Sequence, residues 1–435
     1  MGAAAIAADG KPFVLAVPMN TSRLTNYFLA YCIGLIVGYA LYIPGRRLPG
    51  FPTGGPGDFA AFYTGGRIVL EGNSYHLYDL EMQGRVQQSL LTPYGWQFEG
   101  GLLPFNNPPF VALLFAPLAI LPLRWAYHVW NLFSVLMILF CVRTFVRGRA
   151  ASPEFLRSTA IVFSFFPVFE GLWQGQSSFV ILFALTLAYL ALKAERESVA
   201  GFSLCLGLVK PQLILVPVAM FLCLKRWRLL LKFGLGGIGL FAISWMLVGT
   251  QGLISYITLM DSMFRWMTLK GMHPSYLPNL RGVVYRLWAA FQFQTGAGSA
   301  AVWCSILILA ATAAIFVLVL RIWRANWKPR SFEFDLCFAV IVVCGLFLSP
   351  YLYGHDLALL VLAGFLVVRY FDHKGTLPAG NWIICLGHVG ITLPYLLGLG
   401  LELRAQVVAV LLAVLMLILG REAGSNGRTD TAVTT

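Results

Sequence analysis

Apolar runs long enough to cross a bilayer recur along the chain, at roughly 26–43, 125–145, 157–173, 177–193, 229–249, 300–322, 333–349, 354–371, 381–399 and 404–420. Between them lie short basic loops and two long polar ones, 44–104 and 250–299. Two further segments are apolar but interrupted. Phe105 to Pro122 carries prolines near both ends and another at Pro117, and Ala200 to Leu224 is broken midway by Lys210-Pro211-Gln212. The pattern predicts an all-α polytopic membrane protein of about ten to twelve transmembrane or half helices.

Basic residues orient the spans. Arg143, Arg147, Arg149 and Arg157 mark one cytoplasmic loop, and Lys193 with Arg196 a second. Lys225, Arg226, Arg228 and Lys232 mark a third, and Arg321, Arg324, Lys328 and Arg330 a fourth. If all four are cytoplasmic, the two interrupted segments are re-entrant or half helices. If both cross, the first two basic loops face the other side. Broken or re-entrant geometry is the preferred reading, because irregular backbone at membrane depth is tolerated where it lines a cavity. Both solutions leave the same face outside: Asp58 with loop 44–104, loop 250–299, and His355-Asp356.

Residues 1–25 read as a cytoplasmic N-terminus, 26–420 as one transmembrane domain, and the polar 421–435 as a disordered cytoplasmic tail. Met1 to Pro18 lacks a basic n-region, so Asn26 to Ile43 reads as a retained first span, not a cleaved signal. Within the first outer loop, the stretch after Asp58 and the stretch Leu80 to Leu91 are spaced as two amphipathic helices along the interface. They would form a lid or funnel at headgroup level.

Composition closes off the soluble classes. Of 435 residues 59% are hydrophobic and 11% charged, with a mean hydropathy of +0.77. The net charge of +13 sits in short loops and fits anionic headgroups, so no nucleic-acid partner is implied. All eight cysteines fall in apolar segments without metal spacing and read as small buried hydrophobes. No internal repeat is evident, which disfavours transporters built on repeated halves.

Few polar residues remain to carry chemistry. Asp58, in Gly-Pro-Gly-Asp58-Phe, is the only acid between Arg47 and Leu70; it reads as a general base or as a helix N-cap, two compatible roles. His355 and Asp356 sit at the outer end of a span, the acid suited to cap the helix or to fix the imidazole tautomer. Lys210 either snorkels to an interface or, beside the break at Pro211, places a cation in a cavity. Arg281 is an outer, near-interfacial cation. Asn106, Asn107 and Gln176 are neutral groups able to bind hydroxyls or to cap helices. Glu170 is an acid one turn inside a span, fit for a second site carboxylate or for pairing with an arginine. Aromatics such as Phe62, Tyr63, Trp173, Tyr351 and Tyr353 read mostly as interface belt, with one or two available to stack on a ligand.

The ordered set Asp58, Tyr63, Gly72, Tyr78-Asp79, Asn107-Pro108-Pro109, Gly175-Gln176, Lys210-Pro211, Asn279-Leu280-Arg281-Gly282 and Gly354-His355-Asp356 resembles glycosyltransferase family 87. These are C-type membrane glycosyltransferases related to polyprenol-phosphate-mannose-dependent α-1,2-mannosyltransferases. One departure is Ser177-Ser178, where family members often carry Asn soon after Gly-Gln. The resemblance implies the GT-C fold and transfer of a hexose, mannose first, from a polyprenyl-phosphate sugar to an extracytoplasmic glycolipid or glycan, with inversion. It implies Asp58 as general base and His355, Lys210 and Arg281 as contacts to the donor phosphate. Asn106, Asn107, Gln176, Tyr63, Asp356 and Glu170 would bind substrate. No compact acidic cluster follows Asp58, so a metal-independent site without cofactor is expected. The implied setting is the bacterial cytoplasmic membrane, with the site on its outer face. A transporter or lipid flippase, and an inactive scaffold, are the competing readings.

Overall fold

The computed structural model describes residues 23–42, 57–94, 102–146, 152–269, 274–291 and 300–432. The expected cytoplasmic N-terminus up to residue 22, loop residues 43–56, and Arg147 and Arg149 of the first basic loop lie outside them. Among the described residues the chain is helical, without strands. In chain order the helices are α1 Arg23–Tyr42, α2 Phe59–Leu70, α3 Leu80–Leu91, α4 Pro109–Phe115, α5 Leu123–Phe145 and α6 Pro153–Ser164. There follow α7 Phe166–Trp173, α8 Ser178–Lys193, α9 Glu197–Cys205, α10 Pro211–Cys223, α11 Trp227–Leu269 and α12 Leu280–Phe291. The last five are α13 Ala300–Ala325, α14 Phe332–Leu348, α15 Leu360–His373, α16 Leu377–Leu396 and α17 Leu401–Ala432.

Among the described residues five stretches are long and apolar enough to cross a bilayer: Leu123–Phe145, Trp227–Ser262, Trp303–Ala325, Gly354–His373 and Leu401–Gly424. The fold is that of an all-α polytopic membrane protein. α14 is its axis. Every residue from Phe334 to Leu348 is buried, and the helix packs against α10, α13, α15 and α17. Its neighbour α8 is also mostly buried. Such helices are apolar all round because protein, not lipid, surrounds them.

Both interrupted segments are broken as expected. α4 has only 7 residues, and α9 gives way through a 3-10 turn at Leu206–Val209 to α10, which starts on Pro211. Four other expectations are corrected. The segment 157–173 is not a straight crossing: α6 and α7 meet at Phe165 with a bend of 69°. Pro167 opens α7, and its missing N–H and ring cannot continue the helix before it. α2 is not a surface helix with one open face, since nine of its twelve residues are buried. A Cβ on Gly66 would come within 2.6 Å of the Phe115 carbonyl carbon, so only a glycine lets α2 settle onto α4 so closely.

The region 250–299 is largely not a loop. α11 bends at Gly249, whose φ of +67° interrupts it, and then continues to Leu269, while α12 occupies Leu280–Phe291. The polar tail begins helical, as part of α17. Its first turn is tied down by Glu422, which accepts from Lys374 Nζ and the Tyr370 hydroxyl, and by the Ala423 carbonyl, which accepts from Asn326 Nδ2 at 3.1 Å.

A buried charge cluster links α8, α14 and α15 at one end. Lys193 Nζ lies 2.7 Å from Asp335 Oδ1 and Arg369 Nε 3.2 Å from Asp335 Oδ2. The Tyr189 hydroxyl donates to Asp335 at 2.7 Å and accepts from Arg369 at 3.0 Å. Removing the shared carboxylate leaves two buried cations without their counterion, a change that typically costs about 3–5 kcal/mol. Asp335→Ala is therefore expected to lower the unfolding temperature of the detergent-solubilised protein markedly, as followed by intrinsic fluorescence. An unchanged transition would show that the cluster is not a structural staple.

Candidate active site

At the opposite end of α8 and α15 a second polar cluster forms, and its backbone explains its membership. Gly57, at φ +53°, and Gly175, at φ +62°, both occupy the left-handed region that favours glycine. A Cβ on Gly57 would meet Gln174 Cα at 2.9 Å, and one on Gly175 would meet Phe59 Cβ at 2.6 Å. The two glycines thus let the residues around Asp58 dock directly on the α7–α8 turn, sealed by Phe59 N–H donating to the Gln174 carbonyl at 2.8 Å. α5 braces that turn from behind. Tyr127 donates to the Leu172 and Trp173 carbonyls, and Trp130 Nε1 to the Gly175 carbonyl at 2.9 Å.

Docking brings Asp58 against Gln176, whose Nε2 donates to Asp58 Oδ2. Asp58 occupies the N-cap position of α2, but its side chain makes no capping hydrogen bond. Its carboxylate is left for other work. Burial pushes the Asp58 pKa up to about 6; the field of Lys210 opposes this, that of Asp356 adds to it, and the Gln176 bond lowers it again.

Lys210 comes from the break between α9 and α10, where the 3-10 turn ends and Pro211 restarts the helix. Its Nζ lies 2.8 Å from Asp356 Oδ1, 3.1 Å from Ser178 Oγ and 3.2 Å from His355 Nε2. Ser178 Oγ in turn donates to Asp356 Oδ1 at 2.7 Å. Asp356 Oδ2 accepts from the Tyr353 backbone N–H at 3.3 Å in a capping box, so this acid both caps the helix and pairs with the lysine. The Tyr353 ring stacks on the imidazole, centroids 5.7 Å apart.

Glu170 closes a further side. A Cβ on Gly354 would overlap Glu170 Oε2 and come within 2.6 Å of the Tyr395 hydroxyl, so both pack against the glycine that precedes His355. Glu170 is within the electrostatic reach of Arg404, Asp356, Asp58 and Lys210. Arg281 flanks the turn leading into Gly354. Its guanidinium carbon is 5.3 Å from the Tyr351 ring centroid, and Nη1 is 3.5 Å from the Pro350 carbonyl. Asn279 fastens that turn to α12 by donating to the Ser349 carbonyl at 2.7 Å and accepting from Gly282 N–H.

Asp58, Glu170, Gln176, Lys210, His355 and Asp356 thus gather in one cluster, with Arg281 at its edge. Asn106, Asn107 and Tyr63 have other placements. Asn106 is exposed, and the Asn107 carbonyl accepts from Tyr78 Oη at 2.7 Å. Tyr63 is buried, with its hydroxyl donating to the Leu121 carbonyl at 2.7 Å. Sequence reasoning passed over Ser178, Tyr395 and Arg404 as members, and read Tyr353 mostly as interface belt. Ser178 had a signal in its position two residues after Gly-Gln and Tyr353 in its place just before Gly354-His355; Tyr395 and Arg404, from distant segments, had none.

Among the described residues four buried side-chain atoms in this region have no hydrogen-bond partner: Glu170 Oε2, Gln176 Oε1, Ser177 Oγ and His355 Nδ1. Native interiors rarely leave polar atoms so. The arrangement offers carboxylate and amide oxygens to hydroxyl donors, beside a buried lysine and an imidazole. No three His, Cys, Asp or Glu side chains converge as a metal site among the described residues.

No curated protein and no solved structure matches the chain. The family model of glycosyltransferase family 87 matches residues 105–350, which include Glu170, Gln176, Lys210 and Arg281 of the cluster. The match covers more than half of the chain. With the helical membrane fold and a polar cluster able to receive a polyhydroxylated anion, it shows that the protein belongs to glycosyltransferase family 87 and is a membrane glycosyltransferase.

Proposed function

We propose that the protein transfers a hexose, mannose first among candidates, from a polyprenyl-phosphate sugar to the hydroxyl of a glycolipid or glycan. The reaction takes place on the extracytoplasmic face of a bacterial cytoplasmic membrane. The observation that carries this reading is the pairing of unlike groups in one cluster. A carboxylate free of capping duty, Asp58, stands with unpartnered acceptor oxygens of Glu170 and Gln176. Beside them are the Lys210 cation and the His355 ring. Sugar hydroxyls need acceptors, and a departing phosphate needs positive charge and donors.

Asp58 acts as general base on the acceptor hydroxyl while the sugar–phosphate bond breaks on the opposite face of the anomeric carbon, which inverts the configuration. The pKa near 6 suits this role, because the group is mostly ionised at neutral pH yet more basic than an ordinary aspartate. His355 donates a ring N–H to the leaving phosphate, and Lys210 and Arg281 contribute positive charge. Gln176 orients Asp58, and Glu170 receives a sugar hydroxyl. Side chains carry the charge of the leaving group, and no cofactor or resident metal takes part.

Purified protein in lipid nanodiscs, given short-chain polyprenyl-phosphate sugars and a membrane-lipid extract as acceptor, tests the proposal. Wild type is expected to yield glycosylated lipid, with Asp58→Asn slower by about 10²–10⁴-fold but still binding the donor. Equal product from both would remove Asp58 from the reaction. The pH profile has a fixed sign: only the carboxylate accepts a proton, so kcat/KM should fall tenfold per pH unit below about 6 and level off above it. A profile flat down to the ordinary aspartate range would show that another group is the base. Stripping divalent cations with EDTA is expected to leave the rate unchanged, and loss restored by added Mg²⁺ or Mn²⁺ would overturn the metal-free assignment.

A further inference from the structure

A count of hydrogens divides the labour between Lys210 and His355. An ammonium group has three N–H donors and no acceptor. Lys210 Nζ has three partners within hydrogen-bond distance: Asp356 Oδ1 at 2.8 Å, Ser178 Oγ at 3.1 Å and His355 Nε2 at 3.2 Å. All three hydrogens are therefore engaged inside the protein. Because the ammonium can only donate, His355 Nε2 receives with its lone pair. A protonated Nε2 would instead set N–H against N–H next to a cation. The neutral ring then carries its proton on Nδ1, the buried atom that has no partner among the described residues.

We propose that Lys210 is a positioning residue. Held by Asp356 and Ser178, it locks His355 in the Nδ1–H tautomer and so leaves one buried N–H donor for an oxygen of the leaving phosphate. The phosphate as ligand rests on the transferase reading above, whereas the tautomer does not. The same arrangement gives the Ser177-Ser178 departure a function. Ser178 is the hydroxyl that accepts from Lys210 and donates to Asp356, turning the ion pair into a closed triangle. Lys210 acts on the phosphate by its charge and through the ring it orients, not by a hydrogen bond of its own.

Two measurements on the full-length protein in lipid nanodiscs decide the matter. The first is ¹⁵N NMR of histidine-labelled protein, with the His355 signals among the six histidines identified by their loss in His355→Asn. Wild type is expected to show the proton on Nδ1, and Lys210→Met is expected to bring in the Nε2–H form. A wild-type ring protonated on Nε2 would overturn the tautomer lock. That wild-type measurement stands even if Lys210→Met, with Asp356 left unpaired, fails to fold.

The second compares two amide variants with polyprenyl-phosphate mannose as the probe. The N–H of His355→Asn lies near the place of Nδ1, and that of His355→Gln near Nε2. The Asn variant should keep at least about tenfold more kcat than the Gln variant, the scale of a single oriented donor to a developing anion. Equal activities, or the reverse order, would overturn the assignment of Nδ1–H to the phosphate. A wild type that transfers nothing from any donor while showing Nδ1–H would sink the transferase reading and leave the tautomer lock intact.

Discussion

The candidate site of this molecule depends on one buried ion pair, Lys210 with Asp356. Two charges taken out of water must regain in geometry what they lose in hydration, and they do so only if every remaining donor and acceptor is engaged. Here three further participants are at hand. Ser178 bridges cation and carboxylate, the imidazole takes the last ammonium hydrogen, and the Tyr353 N–H meets the far carboxylate oxygen. The pair joins three separate pieces of chain: the break before α10, the start of α8 and the turn before α15. No single helix could supply that set. The broken segment around Lys210 is what allows a cation to enter from the side, at a point where a continuous helix would have presented only its own hydrogen-bonded backbone.

The Lys193–Asp335–Arg369 cluster at the other end gives that arrangement a fixed frame. α8 carries Ser178 at one end and Lys193 at the other, about 22 Å apart at 1.5 Å per residue. α14 lies between the two clusters with its long middle entirely buried and apolar. Sliding along an apolar helix meets little resistance from dispersion alone. Charged contacts at both ends fix the register of α8 and α15, and with it the spacing between Ser178 and Asp356. Packing fills the interior; electrostatics set where each helix stops.

Much of this was legible in the sequence, and the limits have physical causes. Hydropathy found the helices because a bilayer permits few other backbones, and the breaks at Pro109 and Pro211 were readable from proline chemistry. Asp58, Glu170, Gln176, Lys210, His355 and Asp356 stood out because polar side chains are scarce in such a chain, and the structure gathers all six. Two expectations failed for lack of tertiary information. Amphipathic spacing cannot distinguish a helix lying on lipid from one lying under protein, so α2 was misplaced. Pro167 is compatible with a gentle kink or a sharp bend, and only packing around Phe165 decides. The hydroxyl of Tyr63 and the backbone carbonyl of Asn107 each take a contact from a distant part of the chain, which no sequence spacing shows.

That division runs through the whole set of family-like motifs. Gly57 and Gly175 are needed where two backbones touch, Asn279 where α12 meets the turn before Gly354, and Asp79 where its carboxylate caps α3 by accepting from the Glu81 and Met82 N–H groups. Each of these contacts closes on the protein's own backbone or on a neighbouring helix. Among the unpartnered buried atoms of the described residues, four lie together in this cluster: an acid oxygen on Glu170, an amide oxygen on Gln176, a ring nitrogen on His355 and the Ser177 hydroxyl. Asp58, which makes no capping bond, stands next to them. A motif residue whose hydrogen bonds close on the protein maintains the shape of the site. One whose bonds remain open, beside others like it and beside a buried cation, suits a substrate under the proposed reading. By that criterion the proposed reacting surface is smaller than the set of motifs, and it lies where α2, α7, α10 and the turn into α15 meet.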